Sequence, residues 1–396
     1  MIGLTIEGSS VLLGEDFFEV CVKLDGERIA EIDRKPDGGA RLDARGLKLL
    51  PGIVDIHGDA FERQMMPRPG VDFPIDIALC ESDRQAIGNG ITTVFHAATW
   101  SWEPGLRSGA NAERLLTAIE TLRPQLAADT RFHLRHETYN LDAERTIKHW
   151  IAAGRIDLLA FNDHTDSTVA SLNTPAKRNR MVERACVSHD AFDKIVAAVV
   201  SRHHEVPGSI ARLAESARAM QLKMLSHDDD SPELRQAFRD QGVAIAEFPV
   251  NEPTAVAAIE GGDFTVFGAP NVVRGGSHTG WTKAADMIAK GLCSILASDY
   301  YYPAPLLAAF RLVADGILPL PDAWALVSSA PAKAVGLTDR GVIAEGRRAD
   351  LILVDDRVAL RPRLVAAIAA GRVVYLSEAW RLSGGSAQQR TSFAAA

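Results

Sequence analysis

The sequence predicts an α/β chain: a (β/α)8 TIM-like barrel joined to a small discontinuous β-sandwich domain built from both termini. Three observations predict it. From Leu49 onward, short apolar runs alternate with amphipathic stripes, the pattern of repeated βα units around a parallel sheet. The first fifty residues and the stretch after Leu337 read instead as short strands separated by turn signals. Finally, 396 residues exceed the roughly 250 of a plain barrel and leave room for a second unit.

The elements follow in order. Strands are expected at 3–7, 18–24 and 28–32, the last after a turn at Asp25 and Gly26. Eight candidate barrel strands follow, at 52–56, 92–96, 132–136, 158–161, 223–226, 243–248, 265–267 and 294–297. Between them, Leu115, Ile119 and Leu122, and later Phe192, Ile195, Val196, Val199 and Val200, recur at helical spacing, so each set forms one apolar face expected to cover the barrel. Residues 305–336 read as helical, after which GVIAEGRRADLILVD returns to strand. The expected domains are therefore 1–48 with 337–382 for the β unit and 49–336 for the barrel. Residues 383–396, rich in Ser, Gly, Gln and Ala, are expected to form a mobile tail.

Bulk properties narrow the function. Hydrophobic residues at 47% and charged residues at 24% describe an ordinary globular protein. A net charge of −8 without long like-charge runs argues against nucleic acid or a membrane surface as partner, so an anionic substrate would need a local basic pocket. Cys21, Cys80, Cys186 and Cys293 lie far apart, which fits neither a zinc knot nor a disulfide framework and points to a reducing cytoplasm. The opening MIGLTIEGSS lacks the basic start and long apolar stretch of a signal peptide.

The chemistry gathers at strand ends. His57 and Asp59, Glu137, Asp163 and His164, His227 with Asp228 to Asp230, and Asp299 each follow an apolar run, and in a barrel such ends converge on one mouth. His57 and Asp59, two apart on extended chain, share a face and could ligate one ion. Imidazoles and carboxylates suit one or two divalent cations, zinc first, with manganese, iron or nickel open, and Glu137 could bridge two. A single His or Asp after a strand is commonly packing or a turn former, and His96, His133, His136, His149, His189, His203 and His204 are read so. Repetition at successive strand ends is what singles the others out.

PGIVDIHGD, SDYYYPAPLL and GVIAEGRRADLILVD together resemble the amidohydrolase superfamily, over nearly the whole chain. That resemblance implies a metal-dependent hydrolase with an essential acid after strand eight, here Asp299. HGDAFERQMMPRPGVDFP, LSHDDDS and GAPNVVRGGSHTG are similar to a narrower family within it, the alpha-D-ribose 1-methylphosphonate 5-triphosphate diphosphatases of phosphonate catabolism. Its members carry HxD where most relatives carry HxH, as His57 and Asp59 do. The expected ligands are then His57, Asp59, Glu137, His164, His227 and Asp299, with Asp299 also accepting the proton of the attacking water. The stretch 166–206 is shorter and less Tyr-rich than the resemblance leads one to expect.

Phosphate recognition also has a reading from the residues. Arg274, Gly275 and Gly276 are expected to form a flexible turn before Ser277 and His278, offering a guanidinium, backbone N–H groups and an imidazole to phosphate oxygens. Arg63, Arg68 and Arg135 lie near other strand ends, and Arg68 joins the substrate-binding set. The expected partner is a phosphorylated small molecule, and a homodimer stays open. The rival expectation is a deaminase or cyclic-amide hydrolase on the same barrel.

Overall fold

The computed structural model describes residues 3–33, 39–68, 70–276, 280 and 282–384. All eight barrel strands are present: Ile53–Gly58, Ile91–Trp100, Asp129–Glu137, Leu158–Asn162, Met224–His227, Ile245–Glu247, Phe264–Gly268 and Ile295–Ala297. They pair in parallel and in sequence order. A bridge between Gly58 and Asp299 brings the ends of the first and eighth strands together. There the Asp299 N–H donates to the His57 carbonyl and the Asp59 N–H to the Asp299 carbonyl, each at 2.9 Å. Asp55 clamps the same seam by accepting from the backbone N–H of Ser298 at 3.0 Å and from its hydroxyl. A side chain at position 58 would press on that carboxylate, with a Cβ 2.7 Å from Asp55 Oδ2, which accounts for glycine in HGD.

Period two then sorts the barrel into layers. Val54, Ile56, Phe95, Leu158, Ala160, Leu225, Ile245, Val266, Ile295 and Ala297 form one buried cluster drawn from seven strands, and only the barrel interior touches them all. Two residues beyond Ala160, Leu225, Ile245 and Ala297 come Asn162, His227, Glu247 and Asp299, so the same inward faces turn polar at the mouth.

The terminal β unit is a single nine-stranded hydrogen-bonded network that branches at Leu4–Leu13. That strand pairs antiparallel with Asp16–Asp25 and parallel with both Ala40–Asp43 and Lys48–Pro51. It folds around Ile6, Val22, Leu42, Leu351, Val365 and Ile368, giving the expected sandwich-like core from both ends of the chain. The first strand runs well past the expected residue 7. A bulge between Ile6 and Ser9, with Gly8 at φ 78°, lets the pairing resume. Lys48–Pro51 still belongs to this sheet, through Leu351–Asp355.

One helical expectation needs correction. Leu115 and Ile119 do cover the barrel, within the helix Gly109–Leu122. Phe192 and Val196 do not: their helix, His189–Ser201, belongs to an insert between strands four and five and packs with Val182 and Ala185 against Trp102 in a small separate core. The barrel-covering helix of that repeat is Val206–Ala219, whose Leu213, Ala214 and Ala217 join the main core. Both stripes have the same period, so spacing alone could not say which surface each one meets.

The four cysteines are all free thiols. Among the described residues no helix is long and apolar enough to cross a membrane. Most of the expected tail, residues 385–396, lies outside the described residues.

Candidate metal centre

The mouth is assembled from strand exits bent into unusual backbone. Asp228, Phe248 and Asp299, each just past its strand, have φ of 61°, 53° and 54°. Aspartate tolerates the left-handed region, whereas phenylalanine there is an outlier of the kind that clusters at functional sites. His57 lies at the end of the first strand and is 1% exposed. Its Nδ1 donates to Glu247 Oε1 at 2.8 Å, while its ring stands 5.5 Å from those of His133 and His227.

Three trios of donors lie with their ligand atoms within 4.8 Å of one another: His57, Asp59 and Asp299; His164, His227 and Asp228; and His57, His133 and Glu247. The first two trios contain five of the six ligands expected from sequence. Glu137 joins through His164, whose Nδ1 donates to Glu137 Oε1 at 2.6 Å and whose Nε2 lies 3.2 Å from Asp228 Oδ2.

Arg135 sits among them at 5% exposure. It donates from Nη1 to Asp59 at 3.4 Å and from Nη2 to His227 Nε2 at 3.0 Å. A guanidinium only donates, so Nε2 is the accepting nitrogen of His227 and its proton rests on Nδ1, which lies 3.2 Å from Asp228 Oδ1.

The electrostatics fit a cation. Burial and the neighbouring Asp59 push the Asp299 carboxyl up to about 8, and burial followed by Glu62 raises Asp59 as well. Burial opposes protonation of His164, but the carboxylates of Glu137 and Asp228 outweigh it and lift the imidazole to about 9. Burial alone would raise Glu137, yet the charge and hydrogen bond of His164 hold it down at about 2. A seam of buried carboxylates that resist sharing one negative field, beside the imidazoles of His57 and His227, is a donor set that could hold a divalent metal.

Two cavities meet at Arg135. One, of about 210 Å³, is lined by His57, His227, Asp299, Phe248, Arg274 and Tyr300. The other, of about 230 Å³, is lined by Asp59, Glu137, His164, Trp102, Arg107 and Thr168. Arg135 borders both.

A model of the amidohydrolase family matches residues 49–376. The chain belongs to the amidohydrolase family. It is a hydrolase. It is 33% identical over 324 residues to alpha-D-ribose 1-methylphosphonate 5-triphosphate diphosphatase of Escherichia coli (strain K12), covering 79% of this chain and 84% of that one. Its fold is similar to that of N-acetylglucosamine-6-phosphate deacetylase from Pasteurella multocida, with a TM-score of 0.63 at 10% identity over 94% of this chain and 99% of the other. It is also similar to a Xaa-Pro dipeptidase with methionine bound in its active site, with a TM-score of 0.65 at 14% identity over 95% and 100%. At such identities the two structures speak for the amidohydrolase fold alone.

The phosphate-binding residues expected from sequence fare unevenly. Arg274 lines the first cavity, but it ends a helix, Ala269–Arg274, rather than opening a turn, and Gly275 at φ 78° is that helix's left-handed cap. Its Nη1 donates to the Tyr300 hydroxyl at 3.4 Å. Ser277 and His278 lie outside the described residues. Arg68 is exposed, bridges to Val71 and lines neither cavity, so the structure does not bring it to the centre.

Three central residues escaped the sequence reading. His133, set aside as a packing histidine, and Arg135, read as no more than a nearby charge, share the inward face of strand three with Glu137, each two residues apart. That alternation within HLRHE was the available signal. Glu247, 0% exposed, is a carboxylate ending the apolar run of strand six, in the same place as the candidate ligands of its neighbours.

Proposed function

We propose that this amidohydrolase cleaves the triphosphate of alpha-D-ribose 1-methylphosphonate 5-triphosphate to the 5-phosphate and pyrophosphate, in phosphonate catabolism. The observation that carries the reading is the pairing of a carboxylate- and imidazole-rich centre with guanidinium groups from Arg135 and Arg274 in a mouth with two cavities that share Arg135 as a wall. The likeness to the E. coli diphosphatase supports the same substrate.

In this reading His57, Asp59, Glu137, His164, His227 and Asp299 hold one or two divalent cations, zinc first. When bound, such cations supply Lewis-acid polarisation of phosphoryl oxygens and lower the pKa of water. The chain's own residues do the rest. Arg274 orients the phosphate chain, with Ser277 and His278 beside it in sequence, and Arg135 adds positive charge where negative charge develops on the leaving pyrophosphate. Asp299, at the lip of strand eight, accepts the proton of the attacking water. The barrel spans 49–336 in this scheme, with the β unit of 1–48 and 337–382 as its support.

A second reading has its own observation. Phe248, Pro249, Phe267 and Pro270 give the first cavity an apolar wall suited to a flat neutral ring, as in a deaminase or cyclic-amide hydrolase. Parallel assays separate the two, following pyrophosphate from the ribosyl triphosphate and ammonia or ring opening from neutral amides and nucleobases. A guanidinium–phosphate contact contributes about 1.5–3 kcal/mol, so Arg274→Ala should cut kcat/KM for the triphosphate by roughly 10–150-fold and leave neutral substrates unchanged. Ammonia release or ring opening indifferent to Arg274, with no pyrophosphate, would favour the second reading.

A further inference from the structure

We infer that His133 and Glu247 close a cation site with His57, at the inner edge of the mouth, which adds two ligands to the set proposed above. The trio comes from strands one, three and six, and its members are 1%, 0% and 0% exposed.

The argument is an inventory of donors and lone pairs. His133 Nδ1 lies 3.0 Å from the Ile56 carbonyl, which only accepts, so the proton is on Nδ1 and Nε2 carries a lone pair. Among the described residues that Nε2 has no hydrogen-bond partner, and neither has Glu247 Oε2. The carboxylate's one recorded donor is His57 Nδ1, at 2.8 Å through Oε1. Two buried acceptor atoms without a donor thus belong to residues that, with His57, offer ligand atoms within 4.8 Å of one another. That arrangement is costly as it stands, because a buried carboxylate needs a compensating charge.

Arg135 acts on the Glu247 carboxyl through its charge but makes no hydrogen bond to it. Its guanidinium is engaged with Asp59 and His227, and Asn162, with its amide oxygen turned toward it, accepts from Nε at 3.1 Å. A proton on Glu247 does not bridge to His133 either, since the two side chains make no hydrogen bond or close ion pair. A divalent cation held by these imidazole and carboxylate donors would supply the missing charge and occupy both lone pairs. It would take the place of the His57 Nδ1 proton, in keeping with the release of protons when ligands bind metal. His57 also belongs to the trio with Asp59 and Asp299, so one histidine links the deep and shallow positions.

The test measures metal, not turnover. Parent, Glu247→Gln and His133→Gln proteins are stripped with chelator and titrated with Zn2+, recording bound ions per chain and the rise in Tm on loading. The expected result is that each variant binds about one ion per chain fewer than the parent and shows a smaller metal-induced rise in Tm. Without metal, Glu247→Gln should melt no lower than the parent, because its amide N–H₂ supplies the missing donor. Should His133→Gln fail to fold, Glu247→Gln alone decides. Parent-like metal load and parent-like Tm rise in the folded variants would overturn the inference. No substrate enters the experiment, so a parent that releases no pyrophosphate would sink the proposed activity and leave this site standing.

Discussion

In the proposed reaction, Asp299 concentrates the chemistry at the scale of one residue. Its φ of 54° turns the chain at the exit of strand eight, its backbone bonds close the barrel to His57 and Asp59, and burial beside Asp59 makes its carboxyl a reluctant anion. Backbone bonds survive an Asp→Asn change, and the amide oxygen keeps one coordinating atom in place. Asp299→Asn is therefore expected to keep its fold and its metal while losing about 10²–10⁴-fold in kcat, the usual cost of removing a general base. Metal analysis beside kinetics checks this, and near-normal turnover with metal bound would exclude Asp299 as the base.

How far single residues could be read in the sequence depended on where they sit along a strand. Asp59, Asp163, His164, Asp228 and Asp299 follow a strand's last residue, and His57 and His227 stand at its end, where an apolar run visibly gives way to polar residues. Glu137 closes the longer third strand in the same way. His133 and Arg135 are embedded inside that strand, where a polar residue looks like an interruption unless the inward face is already known. Arg274 was found but misplaced in structure: Gly275 and Gly276 suggested a loop, when the first of them is the left-handed stop of a helix.

At the scale of elements, the insert between strands four and five decides the shape of the second cavity. Helices Thr165–Ser171 and Pro175–Ala185 place Ser167, Thr168 and Met181 on its wall. Their support is the small core of Val182, Ala185, Phe192 and Val196 against Trp102, separate from the barrel's own core. The alternation that marked all eight strands could not reveal this, because the insert has ordinary helical spacing and no β signal. Truncating Phe192, fully buried at the centre of that core, should cost about 3–5 kcal/mol locally. So small a unit cannot absorb that loss. Phe192→Ala is expected to open the segment 165–205 to proteolysis and hydrogen exchange and to raise KM, while the barrel's Tm and metal content stay close to the parent's. Loss of metal or global unfolding would show that the insert is part of the barrel's stability.

The whole molecule divides its axis by chemistry: an apolar layer from seven strands below, a layer of imidazoles, carboxylates and guanidiniums above, and the terminal sheet beside the barrel. Ligands at the mouth of such a barrel contribute more to function than to the core, so the fold should outlast the loss of metal. With a formal charge of −8, the chain should attract a polyphosphate only where bound cations and the guanidiniums of Arg135 and Arg274 offset the carboxylates of this centre, and not across its surface. The most direct test of the account is pyrophosphate release from the ribosyl triphosphate before chelation, after chelation, and after return of Zn2+ or Mn2+, with folding followed by circular dichroism. The account expects the chelated protein to stay folded and release no pyrophosphate, the parent to recover with added cation, and His57→Ala and His227→Ala to remain inactive while folded. Full turnover by folded, metal-free protein, or by either variant at the parent's rate, would contradict it.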